Sequence, residues 1–295
     1  MNGIDYPALY KCSDAASNSC QRWYMLAVKT HLGLLAITGL LACWSPTSDR
    51  WEQAVSIAIA LAMFLALLIG LVLKMGGLDD AWFRARAFAE NTKHAAWRFM
   101  MTPRPADEAD TKSQERAFLD QLQQIRARFP EVEKYLSQHQ VDGPEIVPAM
   151  REIRSLQLAE RLTLYKSLRL RDQLDWYTKK AKSNARLEQR WFYAILVADG
   201  LAVVLAVVRL LVDVQYNPTG GIAALAACLL AWTQTKRFSD LANSYGVASR
   251  DLNGLATRAD HVRTEEEFGD FIEEVEGAIS REHRLWIERV KIPGR

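Results

Sequence analysis

The sequence has no CxxC pair, no pair of histidines at metal-binding spacing, no nucleophile elbow, and no glycine-rich loop that ends in Lys-Ser or Lys-Thr. Gly76 and Gly77 lack such a partner, so a phosphate-cradling loop is excluded. The four cysteines, Cys12, Cys20, Cys43 and Cys228, are too few and too scattered for a disulfide framework or a zinc site. They read as reduced thiols. The five histidines, His31, His94, His139, His261 and His283, are equally dispersed, and a lone helical histidine is more often structural than catalytic. No metal, cofactor or enzymatic activity is expected. Segments of β-strand alternation closed by hairpin turns are also missing, which removes a soluble β domain and leaves a nearly all-helical chain.

Neither basic nor acidic residues are in marked excess. The formal net charge is only +2, too small for bulk attraction to nucleic acid, so the placement of the basic residues matters more than their number. The apolar residues, 49% of the chain, are collected in dense blocks. Met25 to Trp44 is apolar over about 20 residues and so spans roughly 30 Å, the hydrocarbon thickness of a bilayer. Ala54 to Leu73 is equally long and free of charge. A third block, Trp191 to Val212, carries Asp199 and Arg209. A fourth, Gly220 to Trp232, is short and must borrow Thr233 to Thr235 to cross. Because Met25 lies behind a polar segment and no small-residue cleavage site follows Trp44, a cleaved signal peptide is not expected.

These blocks predict two transmembrane hairpins, four spans in all. Lys74, Arg84 and Arg86 follow the second span, Lys179, Lys180, Lys182, Arg186 and Arg190 precede the third, and Lys236 and Arg237 follow the fourth. Positive flanks stay in the cytoplasm, so both chain ends are expected inside. The turns around Pro46 and Pro218 hold only Arg50 and face outward, with Trp44 and Trp51 at the interface.

Between the hairpins, Phe118, Leu122, Ile125 and Phe129 form a helical stripe, and Pro130 opens a second short helix that fades near Gln140. The cluster Asp142, Gly143, Pro144 is the clearest break in the chain. From Glu145 to Val212 no strong breaker follows Pro148, and Leu158, Leu162, Tyr165 and Leu168 mark a buried stripe. One helix over that range would be on the order of 100 Å long. Near the end, Thr264 and Glu267 form a capping-box pattern ahead of Phe268, Ile272, Val275, Ile279 and Trp286 at helical spacing.

Two stretches carry a resemblance. Trp82, Arg84, Arg86, Ala89, Glu90, Lys93, Trp97, Arg98 and Met100 resemble one class of SLATT domains, two-pass membrane effectors of bacterial conflict systems. Tyr165, Arg169, Arg171, Asp172, Gln173, Trp176, Tyr177, Lys180, Ala181 and Asn184 resemble the lead-in of a second class, and Glu273, Glu276, Glu282, His283 and Trp286 fit its ending. The resemblance implies a pore-forming or membrane-disrupting effector of anti-phage defence, controlled by a partner nucleotidyltransferase, and no enzyme. The expected segments are a cytoplasmic arm at 1–24, a two-pass SLATT-like unit at 25–105, a helical linker at 106–144, and a second two-pass unit with cytoplasmic helices at 145–295.

A charged side chain inside a span costs a few kcal/mol unless it meets water or a partner, which makes Asp199 the candidate pore residue. Its alternative is a structural pairing within the bundle. Arg209 and Lys29 lie near span ends and can snorkel. Arg84, Arg86, Lys93, Arg98, Arg169, Arg171 and Lys180, interleaved with Trp82, Trp97, Trp176 and Tyr177, suit a nucleotide or a short single-stranded nucleic acid. There cations hold phosphates and rings stack bases, and Trp176 is the ring named as a contact. A homo-oligomer, with a tetramer favoured, is expected because four spans with so little polar surface cannot enclose a water path alone. The competing reading is a membrane-anchored helical scaffold that recruits cytoplasmic partners without conducting ions.

The topology is directly testable. Cysteines introduced beside Pro46 and Pro218 should react with an impermeant thiol reagent applied from the periplasm, and cysteines near Arg104 and Arg295 should not. Periplasmic labelling near Arg104 would overturn the four-span arrangement.

Overall fold

The computed structural model describes residues 4–44, 48–139, 141–212 and 218–290, the last ten of these as backbone only. Pro46, Gln140 and Arg295, and the side chains of Glu282, His283 and Trp286, therefore lie outside the described residues. Every regular element among the described residues is helical: α1 (Ala8–Leu41), α2 (Asp49–Met75), α3 (Leu78–Met101), α4 (Glu108–Ala127), α5 (Glu133–Leu136), α6 (Pro148–Ser155), α7 (Leu158–Tyr165), a π-helical segment (Lys166–Arg171), α8 (Asp172–Leu211), α9 (Pro218–Lys236), α10 (Phe238–Arg258) and α11 (Glu265–Val290), with short 3-10 turns between some of them.

Local chemistry accounts for many of these boundaries. Asp107 caps α4 by accepting the Ala109 N–H at 3.3 Å. Thr264 and Glu267 form the expected reciprocal box at the start of α11: the Glu267 N–H donates to Thr264 Oγ1 at 3.2 Å and the Thr264 N–H to Glu267 Oε2 at 3.1 Å. Gly77, at φ +55°, takes the left-handed conformation that turns the chain from α2 into α3.

The range from Glu145 to Val212 is not one helix. Leu156 and Gln157 are extended, and α7 restarts with its own capping box, in which the Gln157 N–H donates to Glu160 Oε2 at 3.1 Å. From Leu158 the helix then runs unbroken for 54 residues to Leu211. Within it the π segment shifts the buried face, so that Arg161, Tyr165, Arg169 and Leu170 point inward while Leu168 is exposed. Leu168 was expected inside. Arg161 and Arg169, held by carboxylates and a backbone carbonyl, take the inward positions instead.

The chain forms two compact units, each discontinuous in sequence. One comprises Met1–Gln21, Asp79–Ala181 and Asn243–Arg295, and the other Arg22–Leu78 and Lys182–Ala242. They cut across the four sequence segments, and the Asp142–Pro144 break is a loop within the first unit.

The first unit holds most of the buried core, and α3 supplies more of it than its polar sequence suggests. Ala81, Ala85, Ala89 and Ala96 are small enough for neighbouring helices to close around α3, while Phe88, Trp97, Met100 and Met101 fill the space between them. Phe118, Leu122 and Ile125 of α4 and Phe268, Ile272, Val275 and Ile279 of α11 are buried as their spacing predicts. Phe99 stacks on Phe118 with centroids 4.5 Å apart.

The second unit contains the apolar blocks. Among the described residues, three helical runs are long and apolar enough to cross a membrane by length and composition: α1, α2 and Leu158–Leu211. α9 is shorter, at 19 residues, and it does run through Thr233–Thr235 to Lys236. His31 of α1 donates from Nδ1 to the Ala66 carbonyl of α2 at 2.9 Å, beside Gly70, where the missing side chain leaves room for the ring. α1 and α9 meet through small residues. Cys43 Sγ accepts the Gly221 N–H at 3.1 Å and donates to the Gly39 carbonyl at 3.3 Å. Trp232 of α9 contacts Trp191 edge-on at 6.4 Å and carries the ammonium groups of Lys29 and Lys236 over its ring.

A Cβ added at Gly221 would lie 2.6 Å from Cys43 Sγ and 2.9 Å from the Gly39 carbonyl oxygen, whereas one at Gly220 meets nothing within 4 Å. Gly221→Leu should therefore lower stability by roughly 1–3 kcal/mol through overpacking, and Gly220→Leu should leave it nearly unchanged. Thermal unfolding of both variants in detergent checks this. Equal losses would show that the α1–α9 contact is not tight.

Candidate functional site

The densest chemistry in the first unit is a buried charge cluster built from α3, α7, the π segment and α11. Arg169 donates from Nε and Nη2 to the two oxygens of Glu276 at 2.8 and 2.7 Å, with both side chains fully buried. Tyr165 donates its hydroxyl to Glu276 Oε1 at 2.9 Å, and His94 Nδ1 meets Oε2. The carboxylate thus has partners on both oxygens. Burial alone would push the Glu276 carboxyl up, but the Arg169 guanidinium and His94 outweigh it and hold the group well below the usual carboxylate range. Arg169 is held charged for the same reason. Trp97, Phe268 and Phe271 stand edge-on around Tyr165 at 5.6 to 6.2 Å and exclude water.

A chain of alternating charge leads away from this pair. Glu90 accepts from Arg86 at 2.5 Å, and Arg86 reaches Asp14 at 3.4 Å. Burial raises the Glu90 carboxyl, but Arg86 and then Lys93 reverse the balance and bring it to about 2. Lys93 is buried beneath the rings of Tyr6 and Tyr10, each centroid 5.6 Å from its ammonium. Burial, then the nearby Arg169, lower its amine to about 8.

The candidate ligand residues fall into three groups. Lys93 and Arg169 lie inside the fold, where a soluble anion reaches them only if the core opens. Arg84, Arg86 and Arg98 lie further out but are engaged: Arg84 with Asp80 at 2.6 Å and with Glu131, Arg86 as above, and Arg98 with Glu273 at 2.5 Å. Arg171, Trp176 and Lys180 are exposed. Arg171 has no ion-pair partner among the described residues. Trp176 is packed edge-on by Tyr177 and Tyr245, and the Lys180 ammonium lies 5.7 Å from its centroid. Asp199 is exposed on α8 between Leu196, Val197 and Val203, while Ala198 and Ala202 form the buried side.

Sequence reasoning missed three partners. Arg161 is buried and donates to the Met101 carbonyl and to Glu265. Arg154 lies over the Phe99 ring at 4.2 Å and donates to the Thr102 carbonyl at 3.1 Å. Both arginines thereby cap the free carbonyls at the end of α3. Glu276, named in the sequence only as part of the family-like ending and with no partner assigned, is the third. The available signal was the i, i+4, i+8 spacing of Arg161, Tyr165 and Arg169, too polar to read as a core face. A cavity of about 170 Å³ lies between α4 and α6; of its four lining cations, Lys112 and Arg151 are matched by Glu108 and Glu115, Arg154 donates to the Thr102 carbonyl, and Arg104 has no ion pair among the described residues. No group of three potential metal-ligating side chains occurs among the described residues.

Comparison with known families gives two matches. Residues 7–162, more than half of the chain, match the family described as SMODS and SLOG-associating 2TM effector domain 3, and residues 165–286 match SMODS and SLOG-associating 2TM effector domain 1. No curated protein and no solved structure matches the chain. The seam between the matches falls within α7, so the buried cluster joins them: His94 and Trp97 belong to the first, and Tyr165, Arg169 and Glu276 to the second.

Lys93 gives a pH signature. Its folded amine titrates near 8, against about 10.4 for an unfolded lysine. Between these values the unfolded chain holds a proton that the folded chain has released, so stability rises with pH across that window. Above about 10, tyrosines of the unfolded chain ionise before Tyr6, which burial pushes up to about 12, and the trend reverses. Denaturant titrations from pH 7.5 to about 9.5 should show a positive slope in the native chain that Lys93→Met removes. An unchanged slope in the variant would assign the effect elsewhere.

Proposed function

Because the chain belongs to the SLATT family of two-pass effector domains, which are non-catalytic, we propose that it is an oligomeric membrane channel or pore of a bacterial anti-phage system. In this reading α1 with α2, and the apolar end of α8 with α9, form two hairpins that cross the inner membrane, with both chain ends in the cytoplasm. A nucleotide or short nucleic-acid signal, made by a partner nucleotidyltransferase, sets the open or closed state. Opening depolarises the membrane.

The observation that carries conduction is Asp199. Its carboxylate is exposed on an apolar helix among Leu196, Val197 and Val203. A carboxylate facing lipid at mid-helix costs roughly 2.5–3.5 kcal/mol on insertion scales. Assembly of several copies around a water-filled path removes that cost by hydrating Asp199, which is why a homo-oligomer is part of the proposal and a tetramer is favoured. For the signal, exposed Arg171, Trp176 and Lys180 are the immediate contacts. Arg84, Arg86 and Arg98 join only if a phosphate displaces their carboxylates, and Lys93 and Arg169 support the site from within.

Flux from the purified chain in proteoliposomes tests this. The native protein should pass cations in preference to anions, and Asp199→Asn should reduce that preference several-fold while leaving the oligomer intact. A correctly inserted oligomer that passes no ions, with or without nucleotides or oligonucleotides, would favour the scaffold reading.

A further inference from the structure

Most of the cations noted in the first unit are matched by carboxylates, but one array in the second unit is not. Lys182, Arg186 and Arg190 of α8 are all exposed, and none has an ion-pair partner among the described residues. Their spacing of four and four places them on one face of the helix. The positions three and four residues away from each hold no acid: they are Thr178, Lys179, Ser183, Ala185, Arg186 and Lys182 at one end, and Leu187, Gln189, Tyr193 and Ala194 at the other. Like charges at i, i+4 repel and weaken a helix. Three in succession without relief call for a counter-charge from outside the chain.

The same face continues as Tyr193 and Val197, exposed by 63% and 69%. Read along α8, it therefore passes from cation to aromatic to aliphatic. At 1.5 Å per residue Arg186 lies about 6 Å, and Lys182 about 12 Å, beyond Arg190, so the array covers the headgroup layer and the first part of the adjoining surface potential. A soluble anion would need only the cations. The sequence of chemistries along the face matches a molecule that has a phosphate at one end and hydrocarbon at the other.

We propose that Lys182, Arg186, Arg190, Tyr193 and Val197 form a site for anionic phospholipid, with the headgroup phosphate held by the three cations and an acyl chain lying along Tyr193 and Val197. The site rests on the reading that α8 enters the bilayer there, and it is independent of conduction and of the signal. Lipid at this face relieves the repulsion along α8 and fixes the depth of the helix.

The full-length protein is reconstituted in nanodiscs of phosphatidylcholine with increasing phosphatidylglycerol, and bound lipids are counted by native mass spectrometry after mild detergent release. Retention of phosphatidylglycerol over phosphatidylcholine should be at least tenfold, should fall about tenfold or more in K182Q/R186Q/R190Q, and should survive in K182R/R186K/R190K. Because the neutralised triple variant can insert incorrectly, Arg186→Gln alone provides a second reading, with a several-fold loss expected. Inorganic phosphate and a short oligonucleotide serve as competitors, and neither should displace the lipid at low millimolar concentration. Equal retention of the two lipids, or displacement by either competitor, would overturn the site while leaving membrane insertion standing. Failure of the native chain to enter any bilayer would overturn both.

Discussion

The contact between Arg169 and Glu276 is the constraint on which the first unit depends. Two charges taken out of water are strongly penalised, and only a bidentate geometry with further hydrogen bonds makes the arrangement tolerable. Here Glu276 has Arg169, Tyr165 and His94 around it, so its lone pairs are occupied from three sides. Removing one partner from such a group leaves the other charge stranded, at a cost of about 3–5 kcal/mol. The demand is geometric as well as energetic: α3, the π segment and α11 must all present their side chains at one point. The π segment follows from this demand, because it lets Arg161, Tyr165, Arg169 and Leu170 all turn inward within little more than two turns.

That constraint changes how the basic residues are understood. A run such as Arg84, Arg86, Lys93 and Arg98 looks like a surface prepared for phosphate when only the cations are counted. In the fold, carboxylates from distant segments meet most of them: Asp14 reaches Arg86, Glu131 reaches Arg84, and Glu273 reaches Arg98. Their charge serves assembly of the unit first. Cations with no ion-pair partner among the described residues include Arg171 at the end of the π segment and Lys182, Arg186 and Arg190 on α8, and these can act on something outside the chain.

Features governed by local chemistry were legible in the sequence. Three of the four apolar blocks, the Thr264–Glu267 capping box and the stripes of α4 and α11 each depend on neighbours within one or two helical turns, and each is present among the described residues. What was not legible depends on pairing across the chain. α3 reads as a polar, basic helix because Arg86, Glu90 and Lys93 interrupt its alanines, yet it is the most buried helix of the unit. Leu168 fits an α-helical stripe, but the π segment turns it outward. The stop at Leu156–Gln157 involves no proline or glycine and coincides with the box that opens α7. Glu276 gives no local sign that it is a buried ion, since it lies among Glu273, Glu274 and other acids that are solvated.

The two units also divide the physical tasks. The first meets most of its buried polar groups internally, through ion pairs and capped carbonyls. The second is held by contacts suited to an apolar solvent: Gly39 against Gly221, the thiol of Cys43, and a histidine on a backbone carbonyl. α1, α8 and α10 each contribute residues to both units without a break. The division of tasks is therefore carried by side chains and not by breaks in the backbone: along α8, Asp172–Ala181 serves the first unit and Lys182–Leu211 the second.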